Sequence, residues 1–204
     1  MANLYTLYHG TVMGGLTKII PREHSIVYLT PNQAYALFYI LDKDINWVTC
    51  GVKENGIVQY EEQFPNQLQT IYEGSCGSLY TVDPTDTMES IGNGAIWTSK
   101  QPVSVYTETH IADVYATLLS HEQAGAISVT RYEHVSADRK RDIHEMMVHY
   151  IHKHNLITQT TKKSRFVQET FPAAWTAAAS LPERRQAVLE EWEKKHDKQL
   201  QARH

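Results

Sequence analysis

Apolar and polar positions alternate in short runs through the first two thirds of the chain, and the period lengthens to that of helices in the last third. The runs "LYTLY" (4–8), "SIVYLT" (25–30), "NWVTCGV" (46–52), "IVQYEEQ" (57–63), "GSLYTVD" (77–83), "GAIWTSKQPVSVYT" (94–107) and "GAISVTRYEHV" (125–135) predict strands, separated by Gly, Pro, Asn and Asp. Two helices interrupt them. The first, "PNQAYALFYILDKD" (31–44), has Thr30 as its cap and Pro31 at the first helical position, where a missing N–H costs nothing. The second, "HIADVYATLLSHEQ" (110–123), sets Ile111, Val114, Leu118 and Leu119 on one face. From residue 136 three helical runs follow: "SADRKRDIHEMMVHYIHKHN", "KKSRFVQETFPAAWTAAAS" and "LPERRQAVLEEWEKKHDKQLQARH". The pattern predicts an α+β protein, with a strand-rich domain over 1–135 and a helical C-terminal extension over 136–204 packing on it.

The first strand ends in a combination that core packing alone does not ask for. In "LYHGTVMGG" His9 precedes Gly10, whose missing side chain lets a ligand approach the backbone, and Thr11 follows. The next strand, "VYLT", ends in Tyr28 and Thr30, and Tyr39 comes ten intervening residues after Tyr28 in the helix that follows. A strand-to-helix turn can set two such rings on opposite sides of a slot for a flat ring. Taken singly, His9 is a strand-end residue and the tyrosines are half-buried packing. The ordered set points to a site.

That set, "LYHGT", Gly-Gly, "IIPR", "VYLT" and an Ala-containing helix, resembles the N-terminal half of the ADP-ribosyltransferase fold. The branch is the one with a His-Tyr-acid triad, which includes diphtheria toxin, the poly(ADP-ribose) polymerases and the rifampin ADP-ribosyltransferases. The likeness covers residues 3 to 42 and becomes diffuse beyond. It implies a split antiparallel sheet, NAD as the substrate, and His9 and Tyr28 as catalytic residues. His9 would bond the ribose, the Gly10 backbone would hold the nicotinamide carboxamide, and Tyr28 and Tyr39 would sandwich the ring. Thr11 would contact the adenosine ribose and Thr30 would line the floor. A catalytically inactive member of the fold, binding a nucleotide or a protein, is the alternative.

Cleaving the nicotinamide–ribose bond passes through an oxocarbenium-like state, so a carboxylate belongs beside the developing cation. The strand expected to carry it, "GAIWTSKQPVSV", has none; the nearest acids are Glu89 and Glu108. Elsewhere, Glu145, His149 and His152 share a helical face at spacings that suit zinc, but a solvated helix with titratable histidines is the simpler expectation, and no metal site is predicted. Arg139 and His144 are spaced as in the HEPN-type ribonucleases, which are all-helical. The face of "FPAAWTAAAS" is expected to cover the core, with a homo-oligomer contact as the alternative use.

Composition narrows this little further. A net charge of -4 gives no general polyanion-binding surface, so nucleic acid is not indicated. Two cysteines do not make a disulfide framework and no run approaches 18 apolar residues, which predicts a cytoplasmic protein outside the membrane. Tyr, at 12 against 4 Phe, suits a cleft lined by rings with polar tips. NAD or a related nucleotide is the expected partner; the acceptor is not specified by any residue.

Overall fold

The computed structural model describes residues 6–21, 26–41, 47–91, 94–180, 187–190 and 194. It divides into two compact units, Met1–Glu133 and His134–His204. The first contains eleven strands among the described residues: β1 Leu7–Thr11, β2 Lys18–Ile19, β3 Val27–Leu29, β4 Cys50–Val52, β5 Val58–Glu61, β6 Gly77–Val82, β7 Glu89–Ile91, β8 Ile96–Ser99, β9 Val103–Ser104, β10 Thr107–Ile111 and β11 Ile127–Thr130. Its helices are α1 Gln33–Leu37, α2 Gln67–Tyr72 and α3 Val114–Gln123. Four small sheets result, ordered β1-β6-β10, β3-β8-β7, β2-β9 and β11-β5-β4. Every pairing is antiparallel except that of β11 with β5. The class is α+β.

Alternation in β1 puts Leu7, His9 and Thr11 on one face, with Tyr8 and Gly10 on the other. Leu7 joins Val27, Leu29, Tyr80, Val82 and Val103 in the core cluster between the sheets, so β1 and β3 share one apolar interior. On the opposite face α1 lies so close that a Cβ at Gly10 would stand 2.0 Å from the Ala36 carbonyl oxygen. Just beyond α1, Ile40 is fully buried against Gly10 and Gly77. The same end of α1 is fixed by Phe38, which stacks on Tyr60 at 5.1 Å and whose carbonyl accepts from the Tyr72 hydroxyl at 2.9 Å.

Several elements differ from those the pattern predicts. The helix expected over 31–44 is α1 alone, continued to Ile40 by tighter bonds such as Tyr39 N–H to the Ala36 carbonyl; residues 42–44 lie outside the described residues. Thr30 is not its cap. Asn32 is, its Oδ1 accepting from Tyr35 N–H at 3.0 Å, while the Thr30 hydroxyl donates to the Ala95 carbonyl at 2.8 Å. The long run 94–107 breaks into β8 and β9 around Pro102, and residues expected to open the second helix instead close β10. Asp113 caps that helix, so it begins at Val114. α2 was not visible in the apolar pattern; Asn66 makes no side-chain cap, and the buried Glu62 carboxylate accepts from Leu68 N–H instead, at 3.0 Å.

The second unit holds α4 Ala137–Lys153, α5 Lys162–Thr170 and α6 Pro172–Ser180. The run expected as one helix over 162–180 is two, parted at Phe171 ahead of Pro172. α4 packs along α6, whose buried residues are the small Ala174 and Ala178. His149 and His152 are buried in α4, not on a solvated face. Most of the charged run 181–204, including Trp192 and Leu200, lies outside the described residues. Among the described residues no helix is long and apolar enough to cross a membrane.

Candidate functional site

Strands β1 and β3 meet at a single bridge and then part. Tyr8 and Thr30 exchange both backbone hydrogen bonds, at 2.7 and 3.1 Å. One step further the ladder would set Gly10 opposite Tyr28, but the pairing has ended and the Tyr28 carbonyl accepts from His9 Nδ1 at 2.9 Å. A carbonyl only accepts, so Nδ1 carries the proton and a neutral imidazole keeps its lone pair on Nε2. In an extended strand, backbone groups two residues apart point the same way. The N–H and C=O of Gly10 therefore point toward the gap, as those of Tyr8 point toward Thr30.

The gap opens into a cleft of about 900 Å³. His9, Gly10, Thr11, Tyr28, Thr30 and Tyr39, the six residues singled out by the sequence, all line it. Tyr28 and Tyr39 are 57% and 43% exposed, unusual for large rings facing a concave surface and typical of a surface that receives a ligand. Tyr39 is oriented by a neighbour that the motif reading missed. Its hydroxyl donates to that of the buried Tyr35 at 2.9 Å, with the rings edge to face at 5.4 Å. Partial burial, and then this donation, hold the Tyr39 phenol well above the usual tyrosine range, so it stays protonated. The i, i+4 spacing of Tyr35 and Tyr39 is the signal that would have found the pair.

Gly10 has a second role. Its bare Cα is what admits α1, so the glycine is demanded by packing on one side while its peptide groups face the cleft on the other. Thr30, a buried residue of the cleft lining, also ties β3 to the 94–95 turn.

No carboxylate is among the described residues lining the cleft. The two candidate acids each stand two strands from a site residue, on its face of the sheet. Tyr28 pairs with Thr98, and Thr98 with Glu89. His9 pairs with Tyr80, and Tyr80 with Glu108. They differ in what they hold. The Glu108 carboxylate accepts from the Ser78 hydroxyl at 2.5 Å, from the Tyr80 hydroxyl at 3.1 Å and from Gly15 N–H at 3.1 Å. The single Tyr80 proton is shared between Glu108 and the Met13 carbonyl, at 2.9 Å, and the Tyr80 oxygen accepts from Leu16 N–H. Glu108 is thus the anchor of the 12–16 loop, two of whose residues, Met13 and Leu16, form cleft wall. The Glu89 side chain has no hydrogen bond among the described residues.

The Ser78 hydroxyl, then Gly15 N–H, hold Glu108 below the ordinary carboxylate range. A depressed folded pKa contributes stability that is complete above the unfolded value and disappears as pH falls through the folded one. The native protein is therefore expected to lose stability on acidification below about pH 4.5, and Glu108→Gln to lack that part of the decline. Denaturant midpoints of the two proteins between pH 6 and pH 3, taken as an approximate window around the usual carboxylate pKa, check this; parallel curves would remove the anchor role.

The remaining candidate chemistry thins out. Burial pushes the Cys50 thiol up to about 12, so it is no nucleophile at neutral pH, and Cys76 is a free, exposed thiol. Among the described residues no group of His, Cys, Asp and Glu could hold a metal ion. No family model, curated protein or solved structure matches the chain.

Proposed function

We propose that the first unit has the split-sheet fold of the ADP-ribosyltransferases and binds NAD in the cleft between β1 and β3. The observation that carries this is the convergence of the His9 imidazole, held through Nδ1 by the Tyr28 carbonyl, the Gly10 backbone beyond the end of the β1–β3 pairing and two exposed tyrosine rings on one strand gap. The rings would stack on either side of the nicotinamide, and the Gly10 N–H and C=O would hold its carboxamide. His9 Nε2 would accept from a ribose hydroxyl, orienting the sugar.

Cleavage breaks the bond between the nicotinamide nitrogen and the ribose C1′; the electron pair leaves with neutral nicotinamide, and C1′ is taken by an acceptor that gives up a proton. Positive charge on the sugar asks for a carboxylate nearby. Glu89 fits that part better than Glu108, whose oxygens are engaged with three donors. The absence of a carboxylate among the described residues of the cleft wall favours a second reading, a module that binds the nucleotide without cleaving it.

Calorimetric titration of NAD into the native protein and Tyr28→Ala, with nicotinamide release followed in the same samples, tests both. Binding by the native protein, weakened about tenfold or more in Tyr28→Ala by loss of one stacking face, is expected. Release marks the transferase and binding without release the module; no binding by the native protein sinks both.

A further inference from the structure

We propose that Lys18 is the anion-binding residue of the cleft, holding a phosphate of the ligand whose flat ring the two tyrosines receive; the assignment rests on the NAD reading above. Among the described residues lining the cleft, Lys18 is the one Lys or Arg, and none is Asp or Glu. It has no acidic partner among the described residues. Lys18 is exposed on the wall of the cleft, which Leu16, Ile19 and Ile20 also line.

The main chain delivering Lys18 is held at both ends. Upstream, Glu108 and Tyr80 fix Gly15 and Leu16 by the hydrogen bonds already described. Immediately before it, the carbonyl of Thr17 accepts from Val105 N–H at 3.1 Å; Lys18 itself pairs with Ser104, and downstream Ile19 pairs with Val103 in the β2–β9 ladder. A cation on a fixed strand loses little backbone freedom on binding, which is what makes a lone lysine useful for recognition. Among the described residues, the carboxylate that bonds to this segment is Glu108, and it is occupied by the Ser78, Tyr80 and Gly15 donors.

The consequence is a ligand class narrower than a flat ring alone. The cleft would take a nucleotide carrying phosphate, and would discriminate against a nucleoside with the same ring and sugar. Three probes separate these: NAD, ADP-ribose, which keeps both phosphates without the nicotinamide, and nicotinamide riboside, which keeps ring and sugar without phosphate. Each is titrated into the native protein, Lys18→Met and Lys18→Arg. Lys18→Met is expected to weaken NAD and ADP-ribose about tenfold, the scale of one charge-assisted hydrogen bond, and to leave nicotinamide riboside unchanged. Lys18→Arg restores most of the loss. Raising the salt concentration should weaken NAD binding to the native protein more than to Lys18→Met.

Equal weakening of all three probes in Lys18→Met would mean that the substitution disturbs the cleft as a whole, and overturns the assignment. So does undiminished NAD binding in that variant, which leaves the NAD reading standing. A native protein that binds none of the probes overturns the NAD reading and this assignment with it.

Discussion

Alanine at Gly10 is expected to lower the melting temperature by about 6–12 °C, the equivalent of roughly 3 kcal/mol for a chain of this size. The added Cβ would meet the Ala36 carbonyl oxygen at 2.0 Å and Ile40 Cγ1 at 3.0 Å. The first of these is backbone, so it cannot turn aside as a side chain would. Either α1 lifts from β1, exposing Ala36 and Leu37, or β1 bends and strains its pairing with β6. Both routes also move Tyr39, so ligand affinity should fall with stability. Gly51→Ala provides the control, because a Cβ there meets nothing within 4 Å. Thermal unfolding followed by circular dichroism reads the difference, and a Gly10→Ala protein that melts with the native one would show that α1 and β1 do not approach in this way.

The second large effect concerns the acid. Glu89→Gln is expected to slow nicotinamide release by about 10²–10³-fold, corresponding to about 3–4 kcal/mol of lost charge stabilisation, while leaving NAD affinity within about threefold. The distinction between rate and affinity matters because the positive charge on the ribose exists only in the transition state. Glu108→Gln should do the reverse: it loosens the loop that bears Met13 and Leu16, so affinity falls with a smaller change in the rate at saturation. Single-turnover release at saturating NAD separates the two. An unchanged rate in Glu89→Gln would remove it as the acid, and a rate lost only in Glu108→Gln would move the assignment to the His9–Tyr80–Glu108 row.

How much of this was legible depended on how local the determinants are. β1 and β6 showed in the sequence because each is a short run of Leu, Tyr, Thr or Val beside a glycine, although five of the six β6 residues are buried and burial does not alternate along it. β10 did not, since four of its five residues are exposed; its place comes from hydrogen bonding to β6. The excess length expected for α1 came from the apolar run "YALFYIL", which gives no hint that Gly10 and Gly77, from elsewhere in the chain, seat Ile40 and help fix where that segment runs. The six motif residues could be picked out because two short segments carry them. Lys18 lacked any such flag, Tyr35 had only its i, i+4 spacing to Tyr39, and the role of Glu108 depends on the register of three strands that no spacing along the chain encodes. The burial of His149 and His152 was hidden for the same reason: helical periodicity says which residues share a face, not which face is covered.

The interrupted pairing of β1 with β3 leaves the sheet one peptide short. Past Tyr8 and Thr30 a donor and an acceptor on Gly10 have lost the strand that would have answered them. A primary carboxamide is a peptide group in miniature, with one carbonyl and one N–H pair, so a ligand bearing it would finish the sheet where the protein stops. A carboxylate in its place offers acceptors only and would answer half of that edge. The chain would then be choosing its ligand by the rule that pairs strands, with the nicotinamide standing where the Tyr28 peptide would otherwise have met Gly10.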